Sequence, residues 1–306
     1  MKPPELSIVV PVFNNQRTLP ELIRRLLLVL ETVETEWEAV FVDDGSQDES
    51  RRIIADHAAQ EPRIRLVELA RNFGSQAALC AGFAATNGQK ILCMDADLEN
   101  LPEDIPALLA PLEEGHDLVC GYREQRQSSL LRRRLPSALL NAYVRRAVRR
   151  SARDIGCGMR AMNATVVANL DTEGEKRRML SPLLLARAQS VAEVPIRHGT
   201  SPWPGGHTFL TLSAIAVDFW MVSSRRPFLA LAVVAALFGG LCFVVAIATA
   251  LAGFPNFALA TWVTFLATVL TVVMCMVGEF IARLYELAQG RPFYVVRDDS
   301  HRSPQD

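Results

Sequence analysis

The sequence predicts an α/β fold, a mostly parallel sheet covered by helices on both faces, followed by interfacial helices and a membrane-spanning pair. Three observations carry that reading. Short β-branched runs alternate with helical stretches through the first part of the 306-residue chain, the pattern of a sheet buried on both faces. No Asp, Glu, Lys or Arg occurs from Pro227 to Gly278. Half of the residues are hydrophobic, 21% are charged and mean hydropathy is +0.17, which excludes intrinsic disorder and suits a globular domain joined to a membrane module. The 32 basic and 33 acidic residues leave a net charge of -1, so no nucleic acid is expected as a partner.

Leu6 to Val12 is the first strand, too short for an independent helix, and a helical pattern follows from Leu19 to Glu31. Glu38 to Val42 reads as a strand ending in Asp43-Asp44-Gly45-Ser46, a turn whose Asp and Ser can cap a helix running to about His57. Ile64 to Leu69, Lys90 to Met94 and Asp117 to Cys120 are further strands, separated by helices near Gln76–Ala85 and Pro102–Leu112. Ligands of such sheets bind beyond the carboxyl ends of the strands, where Asp43, Asp44, Asp95 and Asp97 fall.

Between Arg123 and Arg153 lie ten arginines and one acid, Glu124, interleaved with apolar residues. This basic amphipathic stretch is either a solvated face or a surface for anionic headgroups or a phosphate ligand. Phe209 to Ser224 reads as an interfacial helix, and Phe228–Ala252 and Phe257–Gly278 can each cross a hydrocarbon core of roughly 30 Å. Arg225, Arg226, Arg283 and Arg291 flank the outer ends while Gly253–Asn256 carries no charge, which places both termini in the cytoplasm. Gly239-Gly240 and nearby alanines permit close helix contacts and a homo-oligomer. The six cysteines form no C-x-x-C pair, and the N-terminus lacks the features of a signal peptide.

The chemistry centres on Asp95-Ala96-Asp97. Alternate carboxylates at a strand end can converge on one hard divalent cation, which in turn binds the diphosphate of a nucleotide. Asp43-Asp44 ends a neighbouring strand and is either a capping turn or a set of acceptors for ribose hydroxyls or a base.

Val9-Val10-Pro11-Val12-Phe13-Asn14-Asn15, Val42-Asp43-Asp44-Gly45-Ser46 with Asp48, Arg71-Asn72-Phe73-Gly74, and Met94 to Glu99 with Pro102-Glu103 together resemble the ordered motifs of family 2 inverting glycosyltransferases. Asp154 to Arg160, followed by the membrane pair, narrows the resemblance to the polyprenyl-phosphate glycosyltransferases, over about residues 5 to 295. The resemblance implies a type A, Rossmann-like catalytic domain at 1–208, an amphipathic segment at 209–226, two spans within 227–285 (about 228–252 and 257–280), and a cytoplasmic tail at 286–306. It implies a cytoplasmic-membrane enzyme moving a sugar from a nucleotide donor, with UDP favoured, to polyprenyl phosphate.

By the same resemblance, Pro11, Phe13, Asn15, Val42, Asp43, Asp44, Asp95, Ala96 and Asp97 line the nucleotide pocket. Asp95, Asp97 and Glu99 hold Mg2+ or Mn2+, and Arg123 and Arg160 bring positive charge to the phosphates. Asp154 is a candidate base or acceptor-positioning group. The chain departs from the family at Phe13, Asn15 and Glu99, where Tyr, Glu and Gln are usual, and in the loop Gly199–Thr208, which has no Lys or Arg and offers His207 as the nearest substitute. Altered donor handling is the consequence expected of that loop. A catalytically impaired scaffold and a glycolipid synthase with a neutral lipid acceptor are the competing readings.

Overall fold

The structure is a computed structural model of the chain and describes residues 3–123, 153–154, 156–170, 179–197, 199, 238–242, 244–249, 251–253, 255–288 and 292–297. It divides into two units, Met1–Ala216 with Phe293–Asp306, and Val217–Pro292.

In the first unit, β1 (Leu6–Val12), α1 (Leu19–Leu30), β2 (Trp37–Asp43), α2 (Ser50–Gln60), β3 (Ile64–Glu68), α3 (Ser75–Ala85) and β4 (Lys90–Cys93) alternate strictly. A 3-10 turn (Pro102–Asp104), α4 (Ile105–Glu113) and β5 (Leu118–Arg123) follow, then β6 (Arg160–Asn163) and β7 (Val191–Ile196). The sheet order is β3-β2-β1-β4-β6-β5-β7. β1 runs parallel to β2 and β4, β2 to β3 and β5 to β7, whereas β6 is antiparallel to both of its neighbours. The Rossmann-like, mostly parallel α/β domain expected from the alternation is present.

Burial explains the strand sequences. Successive side chains of a strand point to opposite faces. Leu6, Ile8, Val10 and Val12 therefore join the apolar faces of α1 and α4, while Val9 joins Ala78, Ala81 and Phe83 of α3 on the other side. A central strand with two buried faces has no polar positions to alternate, hence the unbroken run Ile8-Val9-Val10.

The structure differs from the sequence expectations in four places. β5 runs on from Cys120 to Arg123, which puts that arginine at a strand end. β6 and β7 were not anticipated. α2 starts at Ser50 without a side-chain cap on Glu49; Ser46 N–H bonds Asp43, and Asp48 accepts the N–H of Ser50 at 2.9 Å, so the Asp43–Ser46 turn does not cap the helix. Residues expected as one tail from 286 are divided: the preceding helix continues to Ala288, and Val295 to Arg297 bond the edge of β3.

At the far end of the sheet from the acidic turns, buried Glu38 collects Ser7 Oγ at 2.7 Å, the Asn87 N–H at 2.6 Å and Arg65 Nη1 at 2.8 Å. Burial opposes its ionisation, but these donors outweigh it and hold its carboxyl below the usual range. The network ties β1, β2, β3 and the Thr86–Gly88 turn together.

In the second unit, a 34-residue helix, Pro255–Ala288, contains a 20-residue window, Leu259–Gly278, of mean hydropathy 2.1 with none of it buried. It is long and apolar enough to cross a membrane. Phe238–Thr249 is a shorter apolar helix in the region expected for the first span. The Phe238 and Phe265 rings pack with centroids 5.3 Å apart, and a Cβ on Gly239 would lie 3.2 Å from Phe265. Gly239 thus supports a close contact within the chain. The basic stretch 124–152, the loop 200–208 with His207, the interfacial segment 209–226, residues 228–237 of the first expected span and the tail 298–306 lie outside the described residues.

Replacing Glu38 with Ala should leave Ser7, Asn87 and Arg65 without their shared acceptor and cost about 2–4 kcal/mol. Thermal unfolding of the full chain should show Tm falling on the order of 5–10 °C. An unchanged Tm would remove the network from the fold's foundations. Because the Glu38 carboxyl is depressed in the folded state, its contribution is complete above its unfolded pKa and is lost as pH falls through the folded value.

Candidate active site

The carboxyl ends of β1, β2 and β4 place Pro11 and Phe13, Asp43 and Asp44, and Asp95 along one rim of the parallel sheet. Asn14 turns the chain out of β1 at φ 55°, a left-handed conformation that asparagine tolerates. Its N–H donates to Ser46 Oγ at 3.0 Å and its Oδ1 accepts the Gln47 N–H at 2.8 Å. The Asn15 N–H donates to Ser50 Oγ at 2.8 Å, and Asn15 Oδ1 accepts the Phe13 N–H at 3.0 Å. Asn15 is a loop staple. Phe13 is exposed at 42%, leaving an aromatic face at the rim.

Asp43 and Asp44 are both buried and have different partners. Asp44 receives the Phe73 N–H at 2.7 Å and the Gly74 N–H at 2.8 Å, one on each oxygen, so the Arg71–Gly74 motif serves to hold this carboxylate. Burial raises the pKa of Asp44 despite those bonds, and burial likewise raises that of Asp43.

Asp95 follows β4 and is the most perturbed acid of the rim. Burial first, and then the neighbouring charge of Asp97, push its pKa up to about 6, against the pull of Arg160. Asn100 Nδ2 donates to its Oδ2 at 3.2 Å. The β4–β6 register sets Arg160 opposite Cys93, and its side chain is buried among Cys93, Cys120, Cys157 and Asp95. Burial works against the guanidinium's charge, but these neighbours outweigh it and its pKa rises. The Cys93 thiol, pushed up to about 12 by burial, and the Cys157 thiol, pushed up to about 11, are neutral at physiological pH, leaving Asp95 as the anion of the group. Arg160 is not a surface residue.

The turn after Asp95 is strained at one residue. Leu98 has φ 63°, rare for a residue with a branched side chain, and is held there by its surroundings. Asp97 Oδ1 accepts the Glu99 N–H at 2.9 Å, Thr18 Oγ1 donates to Ala96 O at 2.7 Å, and the Gly199 N–H donates to Glu99 O at 2.9 Å. Gly158 presses on Asp95 so closely that a Cβ there would lie 2.0 Å from Oδ2. Arg123 faces the same turn: its Nε donates to Asp154 Oδ2 at 2.8 Å, its Nη2 to Asp154 Oδ1 at 3.3 Å, and its Nη1 lies 3.5 Å from Glu99 Oε2.

Of the residues singled out in the sequence, Asp95, Ala96, Asp97, Glu99, Arg123, Asp154 and Arg160 are thus brought to one site, with Pro11, Phe13, Asn15, Val42, Asp43 and Asp44 on the adjoining strand ends. Among the described residues no three acids, histidines or cysteines form a ready-made cation cage. Glu99 is turned to Arg123, so Asp95 and Asp97 are the hard oxygen donors that fit a divalent cation, and it would relieve their mutual repulsion. The sequence offers no role for Asn100, nor for Gly158 and the Phe73–Gly74 amides within the motifs that contain them. Their sequence signals are adjacency to Asp95-Ala96-Asp97 and the glycines of Gly156-Cys157-Gly158.

An α/β domain with clustered carboxylates and a buried arginine at the carboxyl ends of its strands has its candidate ligand site at that rim. The glycosyl transferase family 2 model matches residues 7–170, more than half of the chain. The undecaprenyl-phosphate 4-deoxy-4-formamido-L-arabinose transferases of Salmonella choleraesuis (strain SC-B67) and Salmonella newport (strain SL254) are each 32% identical over 305 residues, covering 96% of this chain and 93% of theirs. The chain belongs to glycosyl transferase family 2 and is a glycosyltransferase. Its fold is shared with glucosyl-3-phosphoglycerate synthase of Mycobacterium tuberculosis in complex with Mg2+ and UDP, at 18% identity and a TM-score of 0.53, covering 72% of this chain and 79% of that one. The same synthase with Mn2+, UDP and glucosyl-3-phosphoglycerate gives 19% identity and 0.52, covering 72% and 80%.

Because a methyl at Gly158 has no room beside Asp95, Gly158→Ala should displace that carboxylate and lower sugar transfer by about 100-fold, with circular dichroism unchanged. Full activity in that variant would mean that the position of Asp95 is unimportant.

Proposed function

We propose that the protein transfers a sugar, with inversion, from a nucleoside-diphosphate donor to undecaprenyl phosphate at the cytoplasmic face of the inner membrane. The observation that carries this reading is likeness to undecaprenyl-phosphate transferases over 96% of the chain, apolar helices included. UDP is the favoured nucleoside diphosphate, since solved structures that share the fold carry it. The exposed, charge-free window Leu259–Gly278 and the apolar helix before it are in keeping with a two-span hairpin; in this reading it follows a catalytic domain at 1–208 and an interfacial segment at 209–226, and the arginines flanking its outer ends put both termini in the cytoplasm.

Asp95 and Asp97 would hold Mg2+ or Mn2+, and the bound ion would supply charge neutralisation at the leaving diphosphate. Asp44 and the Arg71–Gly74 backbone shape the base and ribose side of the pocket beside the Phe13 ring. Arg160 balances the buried carboxylate from beneath, and Arg123 presents its guanidinium between Glu99 and Asp154 for an incoming phosphate. A polyprenyl phosphate is already an anion at neutral pH, so its oxygen attacks the anomeric carbon without prior proton removal. The two-point grip of Arg123 on Asp154 supports a positioning role for that carboxylate and favours this acceptor over a neutral lipid hydroxyl, which would need a free base. Rate enhancement then comes from orientation and from charge stabilisation of the departing diphosphate.

Transfer of label from UDP- and GDP-sugars to undecaprenyl phosphate in membranes, with and without Mn2+, tests this reading. Product should require the cation and fall by about 100-fold or more in Asp97→Ala. No product from any donor alongside intact nucleotide binding would favour a scaffold of the same fold.

Acid should weaken the site in a defined direction. Protonation of Asp95 competes with the cation, so Mn2+ affinity is retained above the Asp95 pKa of about 6 and falls below it. A Mn2+ titration between pH 5 and 8 that is flat in that range would be inconsistent with Asp95 as a ligand.

A further inference from the structure

β3 is the edge strand of the sheet, and the chain at and just beyond its carboxyl end, Glu68–Ala70, is paired by a segment from the opposite end of the chain. The Arg297 N–H donates to Glu68 O at 2.7 Å, the Ala70 N–H donates to Val295 O at 2.8 Å, and Val296 pairs antiparallel with Leu69. Phe293 and Tyr294 pack on the apolar cluster that also receives Phe73. The side chains repeat the connection: Glu68 Oε2 lies 2.7 Å from Arg51 Nε and 3.5 Å from Arg297 Nη1.

The residues gripped in this way lead directly into the pocket. On its other side Leu69 donates its N–H to Asp43 O at 2.9 Å. Three residues after Ala70 begin the Phe73 and Gly74 amides that hold Asp44. A Cβ on Gly45, the residue after Asp44, would lie 2.7 Å from the Arg71 and Asn72 backbone, so the acidic turn and this loop are in backbone contact. Glu68 is also among the charges that act on Asp43. An edge strand paired on one side only is the part of a sheet most free to open.

We propose that Val295–Arg297 is a positioning element of the nucleotide pocket: it holds Glu68–Ala70 at the carboxyl end of β3 and thereby fixes the Arg71–Gly74 loop against Asp44, so that donor affinity depends on it more than turnover does. The inference rests on reading this pocket as the nucleotide site. A segment that follows the apolar helix in sequence thus belongs physically to the donor side of the active site.

The test compares Arg297→Pro, which removes the N–H to Glu68 and the guanidinium, with Arg297→Lys, which keeps the N–H and the charge, both in the full-length protein. Amide hydrogen exchange is read at Ala70, Phe73 and Gly74, UDP and GDP binding is titrated with Mn2+, and donor KM and kcat are measured. In Arg297→Pro, exchange at these three amides should accelerate about tenfold with β1 and β4 unchanged, and nucleotide Kd should rise about fivefold to tenfold. kcat at saturating donor should stay within about twofold, and Arg297→Lys should restore wild-type behaviour. Unchanged exchange at Phe73 and Gly74, acceleration spread evenly over the sheet, or a fall in kcat at constant nucleotide affinity would each overturn the proposal. Failure of the wild type to bind either nucleotide would overturn the pocket reading instead, whereas normal binding by both wild type and Arg297→Pro would overturn only the role of the segment.

Discussion

The arrangement depends on keeping one carboxylate ionisable where burial opposes it. Asp95 sits at the end of a strand buried on both faces, beside a second acid, and these two influences push its pKa up to about 6. Nearby positive charge opposes that rise and favours the ionised form. The compensation comes from Arg160, which reaches it only because β6 runs antiparallel between β4 and β5 and pairs Arg160 with Cys93 on one side and Cys120 on the other. The one strand that runs against both neighbours is thus the strand that delivers the countercharge.

The loops around this centre are held by backbone bonds from distant parts of the chain. Asp44 is fixed by amides about thirty residues later in sequence, and Asn14 and Asn15 are bound to Ser46, Gln47 and Ser50. Gly199 caps the Leu98–Glu99 turn, and a Cβ there would lie 2.1 Å from Leu98 O. This preorganisation explains how a leucine is kept at positive φ within the acidic turn: Thr18 holds Ala96 on one side, Gly199 holds Glu99 on the other, and the intervening residue adopts the conformation that satisfies both.

How much of this was legible in the sequence follows from which interactions are local. β1 to β4 were readable because a parallel strand buried on both faces needs an uninterrupted apolar run. Arg-Ala-Met-Asn could not be read as β6, since four residues starting with a charge carry no period, and the strand exists through pairing on both sides. β7, with Glu193 and Pro195, lies at the sheet edge, where proline is tolerated and the apolar pattern weakens. In the site, Asp95 and Asp97 announced themselves by alternation at a strand end. The partners of Asp44 and Asp154 did not, because Phe73, Gly74 and Arg123 meet them only through tertiary structure.

Arg123 shows how the same geometry sorts roles that spacing leaves open. An arginine at a strand end and an aspartate thirty-one residues later could each have acted alone, one on phosphate and the other as a base. Their bonds, with Glu99 also facing the guanidinium, tie both to the acidic turn. Glu99 then has competing uses, since a carboxylate directed at Arg123 is not directed at a cation held by Asp95 and Asp97. Glutamate at position 99 therefore adds a second negative charge beside Arg123. An arginine with two acidic partners is mostly neutralised by them, so Arg123, Glu99 and Asp154 are set as one charged unit beside the acidic turn.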